Sequence, residues 1–177
     1  MTPGNPPISE FVTKSMQYAL KCHDDTNHKY DGHPYSNHLQ MVYDYGCKYQ
    51  HLILNRDVDA PLAACWTHDV IEDARQTYND VKGACGIQVA EITYALTNEK
   101  GKNRSERAND KYYRGICDIS GALFVKLCDR LANINYSKIS GSTMLDRYRK
   151  EHSNFKNKLY DLHFHPMFEE MENLLKS

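Results

Sequence analysis

The chain has no Cys-x-x-Cys pair, although it carries six cysteines, and this argues against both a zinc knuckle and a thioredoxin-type redox centre. Cys22, Cys47, Cys65, Cys85, Cys117 and Cys128 are scattered singly. Cys65 and Cys128 fall within apolar stripes and read as small packing residues, in keeping with a reducing, intracellular compartment. No apolar run approaches membrane-spanning length, and the opening Met1-Thr2-Pro3-Gly4-Asn5-Pro6-Pro7 lacks the charged and apolar regions of a signal peptide. A soluble, cytoplasmic chain without a membrane partner is expected. Net charge is only -1, so no global basic field invites nucleic acid. Alternating β-branched runs of strand length are missing too, which disfavours a sheet. There are no internal repeats.

What is present is ordinary globular material, 41% apolar and 25% charged. Its 177 residues suit one domain, with residues 1–8 as a flexible lead-in, and allow a genuine core. Apolar periodicity predicts an all-α bundle with helices over 9–23, 37–49, 59–73, 86–97, 104–118, 122–136, 143–162 and 166–176, and a short one over 78–84. Phe11, Met16, Ala19 and Leu20 are expected to face inward from the first. Polar, glycine-containing connections over 98–103 and 138–142 read as surface loops. The oligomeric state is left open.

The most informative stretch is Thr67-His68-Asp69-Val70-Ile71-Glu72-Asp73, directly after the apolar run Leu62-Ala63-Ala64-Cys65-Trp66. At about 100° per residue, a continuous helix would put His68 with Glu72 and Asp69 with Asp73 on two adjoining faces. An imidazole and three carboxylates would then share one wedge of space, and gathering like charges is costly unless a cation neutralises them. An acidic helix face can instead simply be solvated, so other ligands decide the matter. His38 lies in the first turn of a helix capped at Ser36 or Asn37. Asp129 lies in the apolar helix Gly121–Ile134, with Lys126, Arg130 and Asn133 on the face beside its stripe of Leu123, Leu127, Leu131 and Ile134. Two histidines and two carboxylates from three helices make a mixed nitrogen and oxygen set, suited to Mn, Fe or Zn rather than Ca.

The order His38, His68-Asp69, Asp129 resembles the metal-dependent phosphohydrolases called HD-domain proteins. More narrowly, Pro34-Tyr35-Ser36-Asn37-His38, His68-Asp69-Val70-Ile71-Glu72-Asp73 and Lys126-Leu127-Cys128-Asp129-Arg130-Leu131-Ala132-Asn133 resemble the hydrolase domain of the RelA/SpoT alarmone enzymes and the short, stand-alone members of that group. The resemblance runs from about Ala19 to Tyr160. It implies a single HD-type helical bundle, and one divalent metal, Mn2+, on His38, His68, Asp69 and Asp129. Glu72 and Asp73 would serve as acid–base residues, with a nucleotide as substrate. The implied reaction removes the 3′-pyrophosphate of ppGpp or pppGpp. A chain of this length has no room for a synthetase domain and would be a dedicated degrader.

Two departures from the pattern concern the base rather than the metal. Leu39 follows His38 where the family has proline. Lys29 and Tyr30 stand where the family has an arginine–lysine pair around the guanine. Lys29 and Tyr30 are nonetheless candidates to flank the base, Asn133 to read the nucleotide, Lys126 and Arg130 to neutralise charge or orient Asp129, and Tyr148 to stack on a base or close the core. Lys100, Lys102, Arg104 and Arg107 either form a solvated helix start or meet a polyphosphate at the site's mouth. The same choice applies to Arg147-Tyr148-Arg149-Lys150-Glu151. His163 and His165 alternate rather than spacing by four, which argues against a metal role. Three rivals stay open: an HD phosphohydrolase acting on a nucleoside phosphate or NADPH, a non-catalytic nucleotide-binding module, and a structural metal protein. Retention of Glu72 and Asp73 speaks against the second, and the carboxylate-rich set against the third.

Overall fold

Ser9 opens the first helix by accepting a hydrogen bond from Val12 N at 3.2 Å, the ordinary way to satisfy a helix's first free donors. The computed structural model describes residues 8–53 and 58–176; the expected lead-in lies outside them except for Ile8. Helix α1 (Glu10–Asp25) is followed by a two-stranded antiparallel hairpin, β1 (Lys29–Tyr30) and β2 (His33–Pro34), and then by α2 (Ser36–Tyr49). The hairpin was not foreseen. Asp31 and Gly32 turn its tip with φ of 49° and 80°, the left-handed pair that a two-residue hairpin needs and that Asp-Gly supplies cheaply.

Next come α3 (Asp59–Thr67), α4 (Val70–Asp73), α5 (Tyr78–Cys85) and α6 (Ile87–Leu96), then α7 (Arg104–Arg107), α8 (Asp110–Asp118), α9 (Ala122–Ser140), α10 (Met144–Leu159) and α11 (His165–Lys176). The all-α bundle is as expected, with boundaries that differ for identifiable reasons. The helix expected over 59–73 is interrupted at His68–Asp69, where Asp69 leaves helical geometry with φ -108° and ψ 0°. The helix expected over 104–118 divides because Asn109 caps α8 with its side chain, accepting from Tyr112 N at 3.1 Å. The loop expected over 138–142 shrinks to a cap at Gly141, whose φ of 67° ends α9. Neither Ser36 nor Asn37 caps α2, which starts from Tyr35 without a side-chain bond. Ala19 faces inward as expected and Met16 and Leu20 pack half-buried against the core, but Phe11 is exposed and Val12 takes the inward place at that turn.

Helix α9 is the axis, touching α2, α3, α6, α8, α10 and α11. Helix α3 is buried on all sides, as an apolar helix without a polar stripe must be. Its small side chains let α2 come close: a Cβ at Gly46 would stand 3.0 Å from Cys65 Sγ and 3.1 Å from Leu62. This tight α2–α3–α9 contact brings the two histidines and Asp129 to one place. No helix among the described residues is long and apolar enough to cross a membrane.

Candidate metal centre and active site

The break between α3 and α4 creates the centre. His68 ends α3, almost fully buried, with Nδ1 2.9 Å from the Cys65 carbonyl. A carbonyl only accepts, so Nδ1 carries a hydrogen, and in the neutral ring that a metal requires Nε2 keeps its lone pair. That lone pair faces Asp69 Oδ2 at 3.0 Å and Asp129 Oδ1 at 3.8 Å, yet it has no hydrogen-bond partner. His38, in the first turn of α2 and also buried, sets Nε2 3.3 Å from Asp129 Oδ1 and 3.9 Å from Asp69 Oδ2. His38, His68 and Asp69 can offer ligand atoms within 4.8 Å of one another. Two imidazoles and two carboxylates thus converge from α2, the α3–α4 break and α9, as the sequence pattern anticipated for these four residues. A buried nitrogen lone pair aimed at two carboxylates is unfavourable unless a cation stands between them. The residues present therefore fit a divalent metal.

The local charges already act in that sense. Burial opposes a charge on His68, but without a cation Asp69 outweighs it and pushes the imidazole up to about 9, so near pH 7 a proton on Nε2 stands where a cation would otherwise meet the lone pair. Burial likewise opposes ionisation of Asp129, yet Lys126 and the two imidazoles hold it well below the usual carboxylate range. Lys126 Nζ lies 3.0 Å from Asp129 Oδ2; burial opposes its charge, but Tyr112 and then Asp129 and Asp69 outweigh it and hold the ammonium protonated.

Both Asp69 and Asp129 are steered from behind. The Tyr35 hydroxyl donates to Asp69 Oδ2. Its ring stacks on His28 at 4.0 Å and on His23 at 4.4 Å, and these two imidazoles face each other, Nδ1 to Nδ1, at 3.0 Å. Burial pushes His23 down to about 4 and lowers His28, so this stack is neutral near pH 7. Asn133 Nδ2 donates to Asp129 Oδ1 at 2.6 Å and to its carbonyl at 3.0 Å, while its Oδ1 accepts from Tyr30 at 2.8 Å. The Tyr30 ring lies flat on His38, centroids 4.6 Å apart. Hydrogen bonds of this kind to ligating carboxylates typically matter by about 10–100-fold in metal affinity. Tyr35→Phe keeps the ring stack and removes only the hydroxyl, so it is expected to weaken Mn2+ binding by roughly that factor; calorimetric titration measures it, and an unchanged affinity would rule the role out.

Glu72 and Asp73 stand on the wall of the same cavity, about 330 Å³ in volume. They do not share the wedge that a continuous helix would impose. Glu72 turns to Asn98, taking its backbone N–H at 3.2 Å and its amide at 2.8 and 3.0 Å. Asp73 is reached by solvent through the cavity. Partial burial and the carboxylates of Asp69 and Glu72 push it up to about 7. A folded-state pKa above the unfolded value near 3.9 means that the folded chain binds more protons between about pH 4 and 7. Metal-free protein should therefore lose stability from this group as pH rises through that window. Asp73→Asn should flatten that stretch of the profile in urea melts and raise stability at pH 8; an unaltered slope would contradict the assignment.

The remaining candidates divide. Tyr30, Lys126, Arg130, Asn133 and Tyr148 all line the cavity. Lys29 is exposed on β1 and does not line it. Arg130 is buried under the Tyr148 ring at 4.4 Å and the Phe155 ring at 4.7 Å. Sequence reasoning passed over Tyr35, although it lies in the Pro-Tyr motif, and Asn98 and Glu151, whose partners are distant in the chain.

No family model matches the chain. Among curated proteins it is 28% identical over 124 residues to the guanosine-3′,5′-bis(diphosphate) 3′-pyrophosphohydrolase MESH1 of Danio rerio, covering 70% of this chain and 67% of that one. It is 25% identical over 150 residues to the Drosophila melanogaster protein of the same name, covering 82% and 79%. Against a guanosine-3′,5′-bis(diphosphate) 3′-pyrophosphohydrolase of Aquifex aeolicus the identity is 27% over 132 residues, 73% of this chain but 18% of that longer protein. A solved structure described as a metazoan ortholog of SpoT that hydrolyzes ppGpp superposes with a TM-score of 0.73 at 21% identity, covering 98% of this chain and 97% of the other. The fold is thus the single-domain HD-type helical fold, shared over nearly the whole length. In sequence, the chain is similar to small proteins named as alarmone pyrophosphohydrolases.

Proposed function

We propose that this protein is a metal-dependent pyrophosphohydrolase that removes the 3′-pyrophosphate of ppGpp and pppGpp, giving GDP or GTP and pyrophosphate. The observation that carries the reading is the convergence of His38, His68, Asp69 and Asp129 around one point, with Asp73 and Glu72 on the wall of the same cavity. The similarity to proteins named for this reaction adds to it. His38, His68, Asp69 and Asp129 would hold one divalent cation, Mn2+ in our reading. When bound, it supplies Lewis acidity toward a phosphate oxygen and toward water.

The chain's own residues do the rest. Asp73, poised near neutrality, takes a proton from the attacking water or returns one to the departing ribose oxygen, as a group matched to the working pH does best. Glu72 orients the water and, through Asn98, fixes the segment that follows α6. Tyr35 and Asn133 hold the two ligating carboxylates in aim. Lys126 offsets charge beside Asp129. Tyr30, lying on His38, forms the wall toward the nucleoside in preference to the exposed Lys29. A cytoplasmic location belongs to the same reading, since all six cysteines are free thiols.

The test is a panel of nucleotides incubated with the Mn2+-loaded protein and resolved by ion-exchange chromatography. ppGpp and pppGpp should be consumed, while GDP, GTP, nucleoside monophosphates and NADPH persist. Consumption of NADPH or a monophosphate, with ppGpp intact, would establish a different nucleotide substrate.

A further inference from the structure

Helix α1 ends in a reversal that its last residues dictate. Asn27 takes the left-handed backbone, with φ of 50°, a conformation that asparagine tolerates better than most residues. The turned chain then closes two bonds back onto the helix. Asn27 N donates to the Asp24 carbonyl and His28 N to the His23 carbonyl, each at 3.0 Å. Thr26 adds its hydroxyl to the Cys22 and His23 carbonyls at 3.2 and 3.1 Å. A doubly bonded helix stop of this kind sets the residue just past the turn against the helix's last turn. Here the two side chains brought together are His28 and His23.

Their rings meet Nδ1 to Nδ1 at 3.0 Å, with centroids 5.2 Å apart and planes 24° from parallel. A centroid separation so much longer than the contact places the rings edge to edge, not one over the other. Such a bond needs one N–H and one bare nitrogen, so the two neutral rings hold opposite tautomers. His23 is 1% exposed, and its Nε2 has no partner among the described residues. A buried orphan N–H is rarer than an orphan acceptor, so the bare nitrogen belongs there. His23 therefore donates from Nδ1, while the half-buried His28 accepts and carries its hydrogen on Nε2. The joined rings make one flat face. The Tyr35 ring lies against it, 4.0 Å from His28 and 4.4 Å from His23 and within 22° of parallel to both, and its hydroxyl donates to Asp69.

We propose that His23 and His28 form a hydrogen-bonded imidazole platform that positions Tyr35 and, through its hydroxyl, the carboxylate of Asp69. The inference rests on the reading of Asp69 as a metal ligand. Neither imidazole lines the cavity, so both are positioning residues. A tyrosine held flat on such a face has little rotamer freedom left to lose when its hydroxyl meets the carboxylate. Whatever the platform contributes passes through that hydroxyl, so it cannot exceed the loss in Tyr35→Phe and must vanish when the hydroxyl is gone.

Calorimetric titration of the metal-free protein with Mn2+ tests this as a double-mutant cycle. His28→Leu, which fills space but accepts no hydrogen bond, should weaken Mn2+ by about tenfold, the low end for a partner of a ligating carboxylate. His28→Asn keeps an acceptor for His23 and should retain most of the affinity. Added to Tyr35→Phe, His28→Leu should cost nothing further. Parental affinity in His28→Leu, or a loss that repeats in full beside Tyr35→Phe, would overturn the platform. His28→Asn as weak as His28→Leu would overturn the imidazole bond. Proton–nitrogen NMR correlation spectra of the parent decide the same point without any variant: His23 should carry its hydrogen on Nδ1 and His28 on Nε2, and one tautomer in both rings would overturn the pair. Hydrolysis of ppGpp is followed in parallel. If Mn2+ follows the proposed pattern while ppGpp survives, the platform stands and the substrate reading falls; if ppGpp is cleaved while His28→Leu binds Mn2+ as the parent does, the platform alone falls.

Discussion

His68→Ala is expected to emerge from purification without its metal and without hydrolytic activity, both losses essentially complete. The reason lies in how the imidazole is held. The Cys65 carbonyl fixes the hydrogen on Nδ1, so the lone pair on Nε2 has nowhere to point except toward Asp69 and Asp129. Removing it leaves only His38 and the two carboxylates to hold a cation, one ligand short of the set and with a single nitrogen donor. The variant should also lose the stabilisation that bound metal confers by mass action, about 2.7 kcal/mol when metal is at a hundredfold excess over its dissociation constant. Elemental analysis and a thermal melt with and without Mn2+ measure both effects. Full metal content in the purified variant would remove His68 from the ligand set.

Asp73→Asn and Glu72→Gln should separate ligands from proton carriers. Each keeps the shape of the side chain, and neither residue is proposed as a ligand, so metal content should stay close to that of the parent. Hydrolysis should fall by about 10²–10⁴-fold, the usual contribution of a general acid or base. The Asp73 variant carries the sharper expectation, because its carboxyl is pushed up to about 7 and can both accept and release a proton at working pH. Glu72→Gln keeps one oxygen for Asn98, so an effect on turnover there reports on the water rather than on the loop. A loss of less than about tenfold in both would move the proton transfer to another group.

The convergence of the candidate ligands was legible in the sequence because it depends on residue type and order: His38, His68-Asp69 and Asp129 each sit in a recognisable run. The helical frame was legible from apolar spacing. What escaped is what tertiary contact decides. Continuous helical spacing through 67–73 hides the break at Asp69, which rests in the bridge between helical and extended backbone while the Tyr35 hydroxyl donates to its carboxylate. Breaking the helix there re-aims Glu72 and Asp73, so their expected shared faces did not survive. Phe11 was placed inward by a periodicity that fits almost as well one residue out of phase; Val12 makes the contact instead. Glu151 read as one more helix charge, since Arg104 and Arg130 lie 47 and 21 residues away. Asn133 and Tyr30 were expected to meet the nucleotide, and the structure engages both with each other and with Asp129 or His38.

The most direct test of the central claim is the product balance of ppGpp hydrolysis by the Mn2+-loaded protein, read by ion-exchange chromatography alongside a pyrophosphate assay. GDP and inorganic pyrophosphate should appear one for one, with no orthophosphate, and a chelator should stop the reaction. Orthophosphate release from ppGpp, or ppGpp surviving intact beside a protein that keeps its metal, would contradict the account.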